Sequence, residues 1–283
     1  MLSWIFEPFQ YIFMIRGMLA ALIVGVVCAT VGTYIVLRGM AFLGDALAHS
    51  ILPGVAIGYV LGDGARQPLF WWALGAAVLA SVSIGAVARG ARLREDTAIG
   101  VVFAGMFALG IALISTVRSY SVDLTHFLFG DILGVSNTDL LLALIFGGLV
   151  LIVVLIFYKE FLVISFDPLL AATLRLPVRL LENVLLVLIA LSIVVSLQTV
   201  GVALMVAMLV TPAAAAYLLT CRLPLMMVLA AVFASFSGVV GLYGSYYLGV
   251  ASGAAIALTS TLVFFIAWLA HSLRLRIMRR RAV

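Results

Sequence analysis

Asp45 and His49 stand four residues apart at the start of an otherwise apolar stretch of the chain. On an α-helix this spacing places both side chains on one face, with their Cβ atoms roughly 5 to 6 Å apart. A carboxylate and an imidazole suit divalent transition metals, and ionisable residues inside an apolar segment usually mark a pathway. The pair is therefore interpreted as a metal site. The alternative is a polar pair near a helix end that water or a neighbouring group satisfies.

Pro53 lies four residues after His49 and interrupts the helical hydrogen bonds of the same segment. Proline has no N–H to bond the carbonyl four residues before it, and that carbonyl belongs to His49. We expect a kink here, with a free backbone oxygen beside the imidazole that could serve as an extra metal ligand.

Small residues recur every four positions beside this polar line. Such a stripe permits the close approach of another helix, which would hold the polar line against protein instead of lipid. The stripe consists of Ala46, Ser50, Gly54, Gly58 and Gly62.

The composition is that of a membrane protein. Of the 283 residues, 66% are hydrophobic and only 10% are charged, whereas soluble domains carry about 25% charged residues. The net charge is +5, but the basic residues fall in short loops and the tail, where the positive-inside rule accounts for them. No nucleic-acid partner is predicted. Cys28 and Cys221 lie far apart without a CxxC pattern, which indicates neither a disulfide framework nor a cysteine metal cluster.

Successive apolar runs predict an all-α, polytopic membrane protein with about eight or nine transmembrane helices, each with the 17 to 25 residues that cross a bilayer. The whole chain, 1–283, is interpreted as one transmembrane domain. If the arginine-rich loop 89–94 is cytoplasmic, most other basic residues share its side, the N-terminus is external and Asp45 lies in the inner half of the membrane. The predicted spans are 16–37, 44–61, 68–88, 96–116, 138–158, 178–196, 198–220, 224–248 and 250–271.

An external polar loop, 117–137, contains two carboxylates and a histidine, at Asp123, Asp131 and His126. These side chains could receive a cation from a donor protein. Ordinary solvated loop polarity also explains them, and this interpretation is preferred.

The loop 159–177 on the opposite side contains the signals of a short, bounded helix. Asp167 is suited to cap a helix whose first residue is Pro168. Arg175 lies in the expected last turn, and Pro177 ends the helix.

Leu170 and Leu174 lie on one face of this short helix. A helix too short to cross the membrane and too apolar to float free is expected to dock on a partner; the alternative is that it lies flat on the membrane. The only lysine, Lys159, lies outside any P-loop pattern, which requires Gly-x-x-x-x-Gly-Lys followed by Ser or Thr. An ATP-driven system would therefore need a separate ATPase, for which this helix is the candidate dock.

Four stretches in register resemble one family, the permease subunits of the ABC transporters that import manganese, zinc or iron. They are 44–50, 129–133, 165–168 and 206–214. The resemblance implies a homodimer in the bacterial plasma (inner) membrane, cytoplasmic ATP-binding subunits and an external metal-binding delivery protein, with no enzymatic activity in this chain and no permanently bound cofactor. It also implies that Asp45 and His49 contact the metal and that 166–176 is the coupling helix.

The same resemblance bears on the metal. Zinc-type members carry a further histidine in the fourth span, whereas the stretch 99–110 has none, and the stretch 209–212 is more similar to manganese and iron members. Manganese is therefore favoured. Because Mn²⁺ is the weakest binder in the divalent affinity order, selection would depend on geometry and on the delivery protein.

Three other functions are alternatives to metal import. A permease for iron chelates or cobalamin would need a wide, less charged cavity. An intramembrane metal-dependent hydrolase would need a third ligand or a nucleophile, and the chain has neither HExxH nor GxSxG. A proton-coupled carrier should have several intramembrane carboxylates, but Asp45 is the only acid well inside the predicted spans apart from Glu182 near one end.

Overall fold

The computed structural model describes residues 7–62, 66–116 and 132–281, and within these ranges every regular element is helical. Short 3-10 helices lie at Glu7–Gln10 and Ile132–Gly134. The α-helices are α1 (Ile12–Leu37), α2 (Leu43–Ser50), α3 (Leu52–Leu61), α4 (Arg66–Gly90), α5 (Glu95–Ser115), α6 (Asn137–Ile156), α7 (Tyr158–Phe166), α8 (Pro168–Thr173), α9 (Val178–Val200), α10 (Val202–Leu219), α11 (Leu223–Leu248) and α12 (Ser252–Arg281).

Nine segments of the described residues are long and apolar enough to cross a membrane, and each coincides with one predicted span. Eight of them are single helices, and the ninth, Leu43–Leu61, consists of α2 and α3 together. Helices are favoured because lipid offers no hydrogen-bond partner to an open backbone. The prediction of an all-α, multi-pass membrane protein is confirmed.

The break between α2 and α3 falls at Ile51, two residues before Pro53. Pro53 lies at the start of α3, a position that tolerates its missing N–H. The expected interruption is therefore present. The His49 carbonyl, however, accepts a hydrogen bond from the N–H of Ile51. The prediction of a free oxygen was wrong, because the turn at the break supplies the donor that proline cannot.

Protein covers most, but not all, of the surface of the segment formed by α2 and α3. α2 packs against α4, α5, α9 and α10, and α3 packs against α4 and α5. The small-residue stripe faces α4: a Cβ added at Gly54 would lie 2.7 Å from the Cβ of Ala76, and one at Gly58 would lie 3.1 Å from the Cα of Leu69. The close helix approach predicted from the stripe is confirmed.

Gly54→Ala should lower the stability of the purified protein. The added methyl group would collide with the Trp72 carbonyl and with Ala76, and overpacking of this kind typically costs about 1 to 3 kcal/mol. The matched control is Gly75→Ala in α4, where an added Cβ meets nothing within 4 Å. Thermal unfolding in detergent should show a lower midpoint for Gly54→Ala only, and equal midpoints for both variants would contradict the close approach.

The turn between the sixth and seventh spans differs in position from the prediction. The sequence suggested a turn near Leu197, but α9 continues to Val200 and the chain turns at Gly201, whose φ of +80° favours glycine. Gln198 instead remains helical and donates a hydrogen bond to Asp139 Oδ1 at 3.0 Å, which joins α9 to α6.

Candidate metal site and coupling helix

Asp45 and His49 lie on the same face of α2, as their spacing predicted. His49 Nδ1 is 3.6 Å from Asp45 Oδ1 and 3.0 Å from the backbone carbonyl oxygen of Asp45. When a neutral imidazole donates from Nδ1 to a carbonyl, Nε2 keeps its lone pair for a metal, and the hydrogen bond orients the ring. The helix therefore presents one carboxylate and one oriented imidazole side by side.

This pair points away from the interior of the protomer. The side chains of Asp45 and His49 are 43% and 33% exposed, whereas Leu43, Ala46 and Leu47 on the opposite side of α2 are fully buried. Two ionisable groups on the outer face of a membrane-spanning helix would be costly against lipid. This face must therefore meet water or another protein.

Aromatic rings border the pair. The His49 ring meets Phe103 and Phe107 of α5 edge to face, with centroid distances of 6.2 and 5.8 Å. These two phenylalanines stack on each other at 5.6 Å, and Phe42 meets Phe103 at 5.8 Å. Sequence reasoning missed them, although a pair of phenylalanines four residues apart in a predicted span was a usable signal. Together they border the imidazole on the side that faces α5.

The position of these rings places the pair along the length of α5. Phe103 and Phe107 lie about 12 to 18 Å along α5 from its first residue, at ~1.5 Å per residue. His49 therefore lies level with the middle of α5, and Asp45 lies one helical turn closer to the end of α2 that follows Arg38.

One protomer does not complete a metal site within the described residues. In these residues no group of three or more His, Cys, Asp or Glu side chains is placed to hold an ion. Asp123, His126 and Asp131, the other candidates from the sequence, lie outside the described residues. A metal site on α2 would need ligands from elsewhere.

The start of the predicted coupling helix is confirmed in α8. Asp167 Oδ1 accepts hydrogen bonds from the N–H groups of Leu169 and Leu170 at 2.9 and 3.0 Å, and Pro168 is the first helical residue. The cap and the proline define where the helix begins.

The end of this helix is earlier than predicted. α8 stops at Thr173, so Leu174 is its C-cap and Arg175 lies outside the helix with a φ of +57°. The N–H groups of Arg175 and Leu176 donate to the carbonyls of Ala172 and Ala171 at 3.0 and 3.1 Å. This Schellman motif closes the helix before Pro177 is reached. Sequence reasoning also missed α7, which directly precedes α8.

α8 presents leucines to its surroundings. Leu169 and Leu170 are 80% and 49% exposed, and Leu174 is also exposed, whereas Ala171 is buried. Leu169 was not singled out from the sequence, because the face of so short a helix is decided by how it packs on α7 and α9. The exposed leucines form an apolar surface of the kind that docks on a partner.

Comparison with known proteins identifies the family. The sequence model of the ABC 3 transport family matches residues 10–271. The chain is 48% identical over 260 residues to the manganese transport system membrane protein MntC of Listeria innocua. The aligned region covers 92% of this chain and 91% of that protein. It is 40% identical over 265 residues to the chelated iron transport system membrane protein YfeD of Yersinia pestis, with 94% and 88% covered.

A solved structure has the same fold. PsaBC from Streptococcus pneumoniae in complex with Fab matches with a TM-score of 0.80 and 39% identity, over 94% of each chain. The nine spans, the family match and these relatives agree with one another. The chain belongs to the ABC 3 transport family and is a multi-pass permease subunit of a metal importer in the bacterial plasma membrane, with ATP hydrolysis carried out by a separate subunit.

Proposed function

We propose that this permease, acting as one domain over 1–283, conducts a divalent metal ion, with manganese favoured, through a site that Asp45 and His49 of two copies form together. The observation that supports this most is the carboxylate and imidazole on the outer face of α2, 3.6 Å apart. A second copy related by two-fold symmetry would cover that face and add the same two ligands.

The resulting ligand set suits a transported ion. Two carboxylates and two imidazoles form a mixed oxygen and nitrogen shell that water or carbonyls can complete, and hard or borderline ions such as Mn²⁺ and Fe²⁺ accept it. No thiolate belongs to the set. The ion is cargo and must leave, so a hydrated, partly exposed pair is better suited than a closed cage.

Relatives with known names favour manganese. The manganese transport protein of Listeria innocua and the manganese import permease ScaB of Streptococcus gordonii are 48% and 41% identical to this chain. The chelated iron protein of Yersinia pestis keeps iron as the second candidate. Since Mn²⁺ is a weak binder at any given site, an external delivery protein would do much of the selection.

The exposed leucines of α8 are the proposed dock for the cytoplasmic ATP-binding subunits. Asp167 and Pro168 define the start of the helix, and Arg175 forms the turn that ends it. Leu169, Leu170 and Leu174 would enter an apolar groove on the ATPase, as the apolar face of a recognition helix does in other complexes.

Cells that carry the whole transport system should accumulate more manganese than iron or zinc. Cells are grown with manganese, iron and zinc supplied together, and their metal content is measured by inductively coupled plasma mass spectrometry. We expect accumulation of manganese that depends on the intact permease. Preferential uptake of zinc would contradict the proposed cargo, and cells that lack the permease are the control.

A further inference from the structure

Charged side chains from four helices meet at the end of the bundle that carries the loop 89–94. Arg38 Nη2 contacts Glu95 Oε1 and lies 3.6 Å from Glu182 Oε1. Arg89 Nη1 donates to Glu182 Oε2 at 3.4 Å, and its Nη2 donates to Asn183 Oδ1 at 2.8 Å. The Glu182 carboxylate thus forms ion pairs with both arginines. Arg38, Arg89, Glu95, Glu182 and Asn183 together form the charge cluster.

The cluster has a simple structural explanation. Arg38 and Arg89 lie at the C-terminal ends of α1 and α4, and Glu95 and Glu182 lie near the N-terminal ends of α5 and α9. Arg38, Arg89 and Glu95 each have the sign that the dipole of their own helix favours, and Glu182 joins α9 to them, so the cluster ties four helix ends together.

One arginine is not fully satisfied by this arrangement. The side chain of Arg38 is only 7% exposed, and its Nη1 atom is buried without a hydrogen-bond partner among the described residues. Buried polar groups are nearly always paired, and a partly satisfied charged network is a costly way to join helices. A cavity of about 170 Å³ borders Arg38, Arg89, Glu95 and Glu182. The cavity leaves room for the arginine to exchange partners.

The cluster lies between the two functional regions of the chain. Glu182 belongs to α9, which begins at Val178, five residues after the end of α8, and packs against α8. Arg38 precedes the short turn that leads into α2, the helix that carries Asp45. A displacement of α8 would therefore reach Glu182 through α9 and reach α2 through Arg38.

We propose that Arg38 and Glu182 are positioning residues that transmit movement of the coupling helix α8 to the metal-site helix α2, by exchanging partners within the charge cluster. The inference rests on the proposed roles of α8 and α2. To show that two residues act together, their interaction free energy has to be measured. A double-mutant cycle measures it.

The test uses the whole transporter, with its ATP-binding subunits and delivery protein, in liposomes loaded with a manganese-sensitive dye. Arg38→Gln, Glu182→Gln and the double variant are compared for ATP hydrolysed per Mn²⁺ ion transported. Each single variant should consume more ATP per ion than the unaltered transporter, because hydrolysis would continue while fewer α8 movements reach α2. The double variant should be no worse than the poorer single variant.

The matched control is Asp96→Asn, which removes a neighbouring exposed carboxylate on α5 outside the cluster and should leave the ratio unchanged. A purely structural role would lower uptake and ATP hydrolysis in proportion to the amount of folded protein, with an unchanged ratio, and that result would overturn the proposal. Independent, multiplicative effects of the two substitutions would also overturn it.

A failure of the proposed metal site would be seen separately. Asp45→Asn in the same liposomes should stop Mn²⁺ uptake while the cluster remains intact. Normal uptake by Asp45→Asn would refute the metal site, whereas an unchanged ratio in Arg38→Gln and Glu182→Gln would refute only the transmission through the cluster.

Discussion

Asp45→Asn and His49→Ala should each abolish metal uptake while the permease remains folded in the membrane. Each substitution removes one ligand from both copies of the chain, so a four-ligand site would keep only two. Loss of transport-dependent growth in metal-limited medium, together with normal protein in the membrane fraction, is the expected result.

The size of the effect follows from the chemistry of the pair. Asparagine keeps the shape of Asp45 but removes the charge that attracts a divalent ion, and alanine at position 49 removes the Nε2 lone pair. In Asp45→Asn the amide oxygen is an uncharged and weaker ligand, and in His49→Ala only water or a carbonyl oxygen could take the place of the imidazole. We expect uptake to fall to the background of cells without the permease.

Two substitutions elsewhere serve as matched controls for this experiment. Asp96→Asn removes an exposed carboxylate near the start of α5, and His271→Ala removes a partly exposed imidazole near the end of α12. Both should retain uptake close to that of the unaltered permease. If Asp45→Asn and His49→Ala retained it as well, α2 would not carry the ion.

Replacement of the exposed leucines of α8 should weaken binding of the ATP-binding subunit and stop transport. Leu169→Asp and Leu170→Asp would each place a charge where an apolar partner surface is expected. Complete burial of a leucine is worth roughly 1.5 to 3 kcal/mol, and 1.4 kcal/mol is a tenfold change in affinity. The ATP-binding subunit should therefore bind roughly tenfold more weakly or worse, and ATP-driven metal uptake should be lost.

Leu170→Met provides the conservative control for this position, because a swap that conserves volume and apolarity usually has a small effect. It should retain both ATPase binding and uptake. Co-purification of the ATP-binding subunit and uptake in liposomes are the two measurements. Normal binding by both aspartate variants would show that the ATPase docks elsewhere.

The spans were predictable from the sequence for a physical reason. Lipid requires a continuous apolar helix of fixed length, so each of the nine spans was readable from hydropathy alone. The start of α8 was equally readable, because the Asp167 cap and Pro168 act through contacts with their immediate neighbours in the chain.

What the sequence did not reveal depends on tertiary contacts. Arg175 adopts a left-handed conformation that a bulky residue rarely takes, so nothing in its type indicated the early end of α8. Phe103 became relevant only because α5 packs beside α2. Arg38 and Glu182 are in contact although they lie far apart in the sequence. No local sequence pattern predicts such a contact.

The site itself lies between these cases. The spacing of Asp45 and His49 predicted their shared face, which is a property of one helix. That the face points out of the protomer is a property of the whole bundle, because α4, α5, α9 and α10 bury the other side of α2. This outward orientation is the reason to expect a second copy at the site.

The nitrogen ligands of bound Mn²⁺ test the central proposal most directly. The purified transporter is loaded with Mn²⁺ at one ion per permease dimer and studied by pulsed electron paramagnetic resonance, which detects imidazole nitrogen bonded to the ion. We predict a nitrogen signal in the unaltered protein, absent in His49→Ala and retained in His271→Ala. An undiminished nitrogen signal in His49→Ala would contradict the metal site on α2.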